Sequence, residues 1–257
     1  MDAAALLRLQ VEWGADEALD EAPRNRLCPA SGAPVAGPRP PVLPAPRTAT
    51  PVATAQRLAE QAATLDTLRA AIEEFEGCPL RATATSLVFG DGECATGIVL
   101  VGEAPDAESD RSGRAFAGPG GRLLDAMLGS VGLDRGAVRL LTLVPWRPPG
   151  GRPPPDTAIA ACLPFVQRHL ALMKPRALVL MGNLACKWIG GIEGGARRGR
   201  GRWHGVAVPG LAAPVPALAL ATPEQALSQT GAKEAAWAEL RRLRRFLDES
   251  QVTEGCK

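Results

Sequence analysis

The segment GIVLVGEAPDAESDRSGRAFAGPGG, residues 97–121, joins an apolar stretch to a loop that carries acids and glycines. Gly102 lets a ligand approach the backbone closely, and Glu103 and Asp110 supply carboxylates that accept hydrogen bonds or protons. Phe116 offers a flat apolar ring, and stacking of a base on such a ring is worth about 1–3 kcal/mol. The alternative is a surface loop with Phe116 buried in the core, the commoner place for a lone phenylalanine. The residues therefore predict either a pocket for a flat ligand or a purely structural loop.

Short apolar runs that alternate with helical patterns surround this loop. The predicted strands are Gly97–Val101, Val138–Val144, Ala177–Met181 and Ala217–Ala221, and the predicted helices between and after them are Gly120–Val131, Asp156–Met173, Asn183–Ile189 and Ala232–Leu247. This alternation is typical of an α/β fold with a central, mostly parallel four-stranded sheet between two helical layers. Ligands of such sheets bind beyond the carboxyl ends of the strands. We therefore expect the loops 145–156 and 221–233 to meet the first loop at one edge.

Composition limits the class of protein and its organisation. The 257 residues, 46% of them hydrophobic, are enough for one sizeable core, and the chain has no apolar run of membrane-spanning length and no basic leader. We expect a cytoplasmic monomer with no membrane partner. Six scattered cysteines indicate reduced thiols rather than a disulfide scaffold. The predicted organisation is an N-terminal helix (1–24), a Pro/Ala-rich linker (25–53), an α/β domain (54–250) that opens with a helical pattern from Thr54 to Phe75, and a tail (251–257).

Several motifs in fixed order resemble those of the type-4 uracil-DNA glycosylases. They are VGEAP, then D-x-x-G-R-x-F-x-G-x-x-G-x-L-L-D-x-M-L from Asp110 to Leu128, RPPGGRPPPD followed by AAC, RALVLMG, and KEAAWAEL, over roughly residues 76 to 247. The resemblance implies an enzyme that flips uracil out of DNA and hydrolyses its glycosidic bond with water, as in base excision repair. By the same resemblance Gly102, Glu103 and Ala104 form the pocket floor with Phe116 as the stacking ring.

The chain departs from the family pattern at four pocket positions. Asp106 replaces a glycine and adds bulk and charge, and Ser109 replaces a glutamate. Thr142 stands where the family has an asparagine that pairs with one edge of uracil, and a hydroxyl cannot reproduce the bidentate match of an amide. Thr222 stands where the family has a histidine that resembles a stabiliser of the departing uracil anion. Glu103, Thr142 and Thr222 are thus the residues at the predicted catalytic positions.

The family's 4Fe–4S cluster needs four cysteine thiolates, and this chain matches only two of the positions. Cys78 and Cys162 are present, whereas Phe75 and Trp146 occupy the other two ligand positions. Aromatic carbons cannot replace thiolates. We predict no cofactor and no metal, with Cys78 and Cys162 as ordinary buried thiols.

Two segments are predicted to touch DNA, single- or double-stranded. The first is GGARRGRGRWHG, in which flexible glycines flank Arg197, Arg198, Arg200 and Arg202. The alternative is a solvated loop whose arginines contact nothing. The second is the loop that by resemblance wedges into the duplex, with Pro223, Gln225 and Glu224, whose charge would repel phosphate. His204 is a weak substitute for the missing histidine because it lies in a different loop.

Three functions remain open at this point. The first is a uracil-DNA glycosylase, and the second is a catalytically degenerate member of the same family that still binds nucleic acid. The third is a glycosylase for another deaminated base, because a pocket with Thr142 in place of the family's asparagine forms different hydrogen bonds to the edge of the base. All three share one fold, so the fold cannot decide between them.

Overall fold

A computed structural model describes residues 50–229 and 231–254 of the chain, with side chains up to residue 249. The predicted N-terminal helix (1–24) and most of the linker (25–53) lie outside these residues. The helices are α1 Pro51–Gln61, α2 Leu65–Glu74, α3 Ala107–Ser112, α4 Pro119–Ser130, α5 Asp156–Met173, α6 Asn183–Trp188, α7 Gly195–Gly199, α8 Pro223–Ser228 and α9 Ala232–Glu254, with 3₁₀ turns at Pro79–Ala82 and Pro149–Gly151. The strands are β1 Ile98–Gly102, β2 Arg139–Thr142, β3 Ala177–Met181, β4 His204–Val206 and β5 Val215–Leu220.

The sheet has the strand order β2-β1-β3-β5-β4. The first four of these strands are parallel, and their carboxyl ends share one edge. β4 pairs antiparallel with β5, so the sheet has five strands rather than the predicted four. The prediction missed β4 because the three residues of His204–Val206 are too few to show an alternating pattern.

Helices cover both faces of the sheet, which confirms the predicted α/β fold. Ile98 and Leu100 of β1 pack in a cluster with residues of α4 and α9, such as Leu128 and Leu240. Val99 and Val101, which alternate with them, pack in a second cluster with residues of α5 and α6. Because both faces are covered, β1 and β3 are buried at every position.

Two predicted helical stretches differ from the structure by more than a residue at an end. The stretch from Thr54 to Phe75 forms two helices, because Ala62 is extended and Thr64 begins a new helix with a capping box to Thr67. The last helix runs to Glu254 instead of Leu247, so the first residues of the predicted tail are helical. None of the helices in the described ranges is long and apolar enough to cross a bilayer.

His169 of α5 is buried behind the sheet and is expected to make stability depend on pH. Its ring packs on Phe89 with centroids 4.7 Å apart, and Arg139 Nε donates to its Nε2 over 3.3 Å. Burial and the nearby Arg139 charge lower the pKa of His169 to about 3. The unfolded chain therefore binds a proton here that the folded chain does not, between the ordinary histidine pKa of about 6.5 and the folded value.

The free energy of unfolding should fall as pH drops from about 6.5 towards 3, by up to about 1.4 kcal/mol per pH unit from this one group. Urea unfolding at several pH values measures this slope. In His169→Gln, whose amide oxygen can still accept from Arg139, the slope should be smaller by the contribution of one bound proton, up to about 1.4 kcal/mol per pH unit. Equal slopes in the two proteins would contradict the assignment.

Candidate active site

A cavity of about 310 Å³ lies at the carboxyl edge of the sheet. Its walls are residues 102–107 after β1, Phe116, residues from the loop after β2 (147, 148 and 151–154), and residues 222–224 after β5. The three loops expected from the sequence therefore meet at one place. Parallel strands that end at the same edge bring their following loops together, which explains the position of the cavity.

Glu103 lies on this cavity wall and is held by α6, the helix that follows the neighbouring strand β3. Its Oε1 accepts a hydrogen bond of 2.9 Å from the N–H of Leu184, at the start of α6. Burial raises the pKa of Glu103, and the nearby Glu224 charge raises it further, while the backbone hydrogen bonds oppose this effect. Gly182 has φ 98°, and a side-chain carbon there would overlap Glu103 and Thr222. Because position 182 has no side chain, the backbone after β3 can lie close to Glu103 in the loop after β1 and to Thr222 in the loop after β5.

Phe116 both lines the cavity and packs in a core cluster, so burial of its ring in the core does not remove it from the cavity wall. Its side chain is 8% exposed and lies against Gly102, where any Cβ would overlap the ring. Its φ of 54° is unusual for a residue with a bulky side chain. Arg135 stabilises this conformation, because its Nη2 donates to the Phe116 carbonyl over 2.6 Å.

Arg135 is the centre of a network beneath this loop. It donates to Asp91 Oδ2 over 2.8 Å, to Asp125 Oδ1 over 2.9 Å and to the Ala115 carbonyl over 2.9 Å. Arg135 and Asp91 are largely shielded from water, whereas Asp125 is 43% exposed. The network fixes the backbone that presents the Phe116 ring.

The departures at positions 106 and 109 form hydrogen bonds within the loop. Asp106 Oδ1 accepts from the N–H of Ser109 over 2.7 Å, and its Oδ2 accepts from the N–H of Gly118 over 3.1 Å. Ser109 Oγ accepts from the N–H of Ala117 over 3.0 Å. Asp106 lines the cavity, but both its oxygens are engaged, so its charge is partly compensated by backbone dipoles. Asp110 in turn accepts from the N–H of Thr85 over 2.9 Å.

The structure separates the two threonines at predicted catalytic positions. Thr222 lines the main cavity, and its hydroxyl caps α8 by accepting from the N–H of Gln225 over 3.2 Å. Thr142 is not in the lining of that cavity. It borders a second, small cavity of about 20 Å³ next to His169, and its buried Oγ1 has no partner among the described residues.

The arginine segment has a defined conformation, contrary to the flexible loop that its glycines suggested. Asn183 Oδ1 accepts from the N–H of Ala196 over 3.1 Å, and the His204 ring bonds the Gly199 carbonyl over 2.8 Å. Glu239 of α9 accepts from the N–H of Gly201 over 3.0 Å. His204 is thus engaged in this segment and does not line the main cavity.

The predicted DNA-contacting side chains occupy different surroundings. Three of the four arginines are exposed, namely Arg197, Arg198 and Arg202. The fourth, Arg200, is half-buried. Trp203 packs beside Phe246, with ring centroids 4.9 Å apart. Pro223 lines the cavity, whereas the side chain of Gln225 accepts from the N–H of Thr222 over 3.3 Å in the helix cap.

The four positions that would hold an iron–sulfur cluster come together in one apolar cluster. Phe75, Cys78, Trp146 and Cys162 are each at most 3% exposed, and the Phe75 ring lies edge-on to Phe165 with centroids 5.1 Å apart. A shared hydrogen bond with Cys78 and burial both raise the pKa of Cys162, which favours a neutral thiol. Two thiols among packed aromatic rings do not fit a cluster that needs four thiolates.

Chemical analysis can test this misfit directly. Purified protein is expected to contain no stoichiometric iron or acid-labile sulfide and to show no visible absorption of a cluster. The double variant Phe75→Cys/Trp146→Cys, reconstituted with iron and sulfide, is the positive control for a four-thiolate site. Stoichiometric iron and sulfide in the wild-type protein would contradict the prediction.

Two arginines of the cavity wall were not singled out from the sequence. Arg147 and Arg152 flank the glycines of the loop after β2, and both line the cavity. The prolines and glycines around them in RPPGGRPPPD predicted only a loop, and the sequence did not show which arginines line a cavity. Leu184, whose N–H holds Glu103, was also missed because backbone donors leave no mark in a sequence.

Comparison with known proteins places this site in a family. The family model described as the uracil DNA glycosylase superfamily matches residues 89–241. The chain belongs to this superfamily. Its matched region contains the whole cavity wall, the arginine segment and the loops that follow all five strands.

Curated relatives in the superfamily confirm the resemblance seen in the motifs. The type-4 uracil-DNA glycosylase of Pyrobaculum aerophilum is 37% identical over 48% of this chain and 63% of its own length. That of Sulfurisphaera tokodaii is 33% identical over 49% of this chain and 57% of its own length. That of Thermotoga maritima is 36% identical over 44% of this chain and 59% of its own length. The matches thus span about three fifths of each of these relatives.

Proposed function

We propose that this chain hydrolyses the N-glycosidic bond of deoxyuridine in DNA, as a cytoplasmic monomer of base excision repair. The observation that carries the proposal is one cavity that joins the Phe116 ring to the Glu103 carboxylate. The names of the type-4 relatives support uracil as the base. A cavity of about 310 Å³ is at the lower end of the range for small-molecule sites and is large enough for one pyrimidine.

In this proposal the flipped base stacks on Phe116 and the Glu103 carboxylate faces the sugar. Stacking on an aromatic ring contributes about 1–3 kcal/mol and offsets part of the cost of extruding the base. The ionised carboxylate orients a water for attack at C1′ and stabilises the positive charge that develops on the sugar. Because the N–H of Leu184 holds Glu103 in place, the carboxylate needs little rearrangement during the reaction.

The proposed DNA surface includes the arginine segment and the rim of the cavity. Arg197, Arg198 and Arg202 are exposed cations on a segment with a fixed backbone. Each phosphate that an arginine neutralises releases a counterion, so binding should weaken with added salt.

Exchange of these arginines for glutamine, one at a time, should weaken binding and reduce the salt dependence by about one ion per lost phosphate contact.

The experiment that tests the proposal is release of uracil from a labelled oligonucleotide with one deoxyuridine, single-stranded or in a duplex, followed by alkaline cleavage. A mock purification and a thymidine oligonucleotide are the controls. Release by the wild-type chain above both controls supports the proposal. Absence of release from either strand type contradicts it.

A degenerate binding protein is the second candidate, and the two threonines favour it. Thr142 lies outside the lining of the main cavity, and the Thr222 hydroxyl is engaged in a helix cap. If this candidate is right, the wild type binds the strand in a salt-sensitive manner without releasing uracil, and release appears only in Thr142→Asn/Thr222→His. Oligonucleotides with hypoxanthine or xanthine, assayed beside uracil, test for another deaminated base.

A further inference from the structure

We propose that Arg147 is a further catalytic residue, whose guanidinium stabilises the base as it leaves as an anion. This inference rests on the proposed hydrolysis of deoxyuridine. Arg147 lines the same cavity as Glu103 and Phe116, on the loop that follows β2. The role deepens the proposed function by naming the group that replaces the family's histidine at Thr222.

The charge balance of the reaction shows why such a group is needed. The bond between C1′ and uracil N1 breaks, and its electron pair moves onto the base, where the negative charge spreads from N1 to the two carbonyl oxygens. The water oxygen bonds to C1′, and its proton passes to the Glu103 carboxylate and from there to the released base. The products are free uracil and a sugar with a hydroxyl at C1′. Preorganised positive donors stabilise the anion most strongly where water is excluded.

Few side chains of the cavity wall can meet this need. Glu103, Asp106 and Glu224 are acids and would repel the anion when ionised. Thr222 carries no charge, and its hydroxyl already caps α8. Among the described residues that line the cavity, Arg147 and Arg152 are the cationic ones, and Arg152 is exposed to solvent.

Arg147 has the environment of a donor that lacks its partner. It is half-buried, and its Nε is shielded from solvent with no hydrogen-bond partner among the described residues. Folded proteins rarely leave a buried N–H unpaired, so this nitrogen calls for a partner, and an ordered water, an ion or a ligand in the cavity would each supply one. The neighbours Trp146 and Pro148 are both buried, which holds the Arg147 backbone in place. The guanidinium presents several N–H donors in a planar fork, which suits the carbonyl oxygens of a departing base.

Single-turnover release of uracil and of 5-fluorouracil from matched oligonucleotides tests the proposal. Fluorine makes the departing base a more stable anion, so its release needs less help from the protein. Arg147→Met should slow uracil release about 10²–10³-fold. In the same variant, the fold reduction of 5-fluorouracil release should be at least about ten times smaller than that of uracil release. DNA affinity and its salt dependence should not change. Arg147→Lys, which keeps a positive charge, should lose less activity than Arg147→Met.

Controls separate this role from folding, from phosphate binding and from the proposed function. Arg69→Met removes one exposed arginine from α2, outside the cavity wall, and should react like the wild type. Equal losses for both bases, or a loss of affinity with a smaller salt dependence, would overturn the proposal and indicate a phosphate contact. No loss in Arg147→Met would also overturn it, while the proposed hydrolysis would stand. A wild type that releases neither base would refute the hydrolysis itself, and this inference with it.

Discussion

Exchange of Glu103 for glutamine is expected to slow uracil release in a single turnover by about 10²–10⁴-fold. Glutamine keeps the oxygen that accepts from the N–H of Leu184 but cannot take the proton of the attacking water. DNA affinity should change little, because the variant keeps the shape of the cavity. A large loss of affinity with an unchanged rate would contradict the assignment.

The pH profile provides a second readout for Glu103. Burial raises its pKa, and the working form is the carboxylate. The rate should therefore rise as pH increases through this raised pKa and then level off, and in Glu103→Gln the rise should disappear. Glu73→Gln is the matched control, since Glu73 is an exposed partner of Arg69 on α2 and should leave rate and profile unchanged.

Exchange of Arg135 for methionine is expected to lower the free energy of unfolding by about 3 kcal/mol, because it leaves the buried Ala115 and Phe116 carbonyls without their donor. Arg135 is 18% exposed and pairs with both Asp91 and Asp125. Loss of its bond to the Phe116 carbonyl should also let the ring move, so uracil release should slow in protein that is still folded. Urea unfolding and single-turnover kinetics measure the two effects.

Arg114 offers a close control for this prediction. It also pairs with Asp91 Oδ2, over 3.0 Å, but its side chain is 62% exposed. Arg114→Met should therefore cost no more than about 1 kcal/mol, as is usual for surface ion pairs. Equal losses of stability in the two variants would show that burial of Arg135 does not set its contribution.

The regular elements could be predicted where one periodicity dominates. Ala177–Met181 and Asp156–Met173 have the bounds expected from the sequence, because buried parallel strands are continuous apolar runs and a long helix repeats its apolar positions. β4 was missed since its pairing with β5 is decided by tertiary contacts and not by its own three residues. The break between α1 and α2 depends on the cap at Thr64, which a broad helical pattern conceals.

The candidate site was predictable in its loops but less so in its side chains. Glu103, Phe116 and Thr222 were expected at the cavity and lie on its wall. Thr142 was expected there too, but borders a different cavity, because the position of a residue in a strand does not tell which cavity its side chain reaches. Arg147 was not singled out because its unpaired buried nitrogen is a property of packing, which the sequence does not show.

Asp106 shows what a departure from the family pattern contributes to the structure of this loop. The resemblance places a glycine at this position in related enzymes, yet here the carboxylate joins the start of α3 to Gly118 through two hydrogen bonds. Return to glycine would remove both bonds, although the loss of the N-cap side chain alone costs only about a few tenths of a kcal/mol when glycine takes its place. The larger consequence is mechanical: the carboxylate of Asp106 couples the first residues of α3 and α4, a coupling that glycine cannot supply.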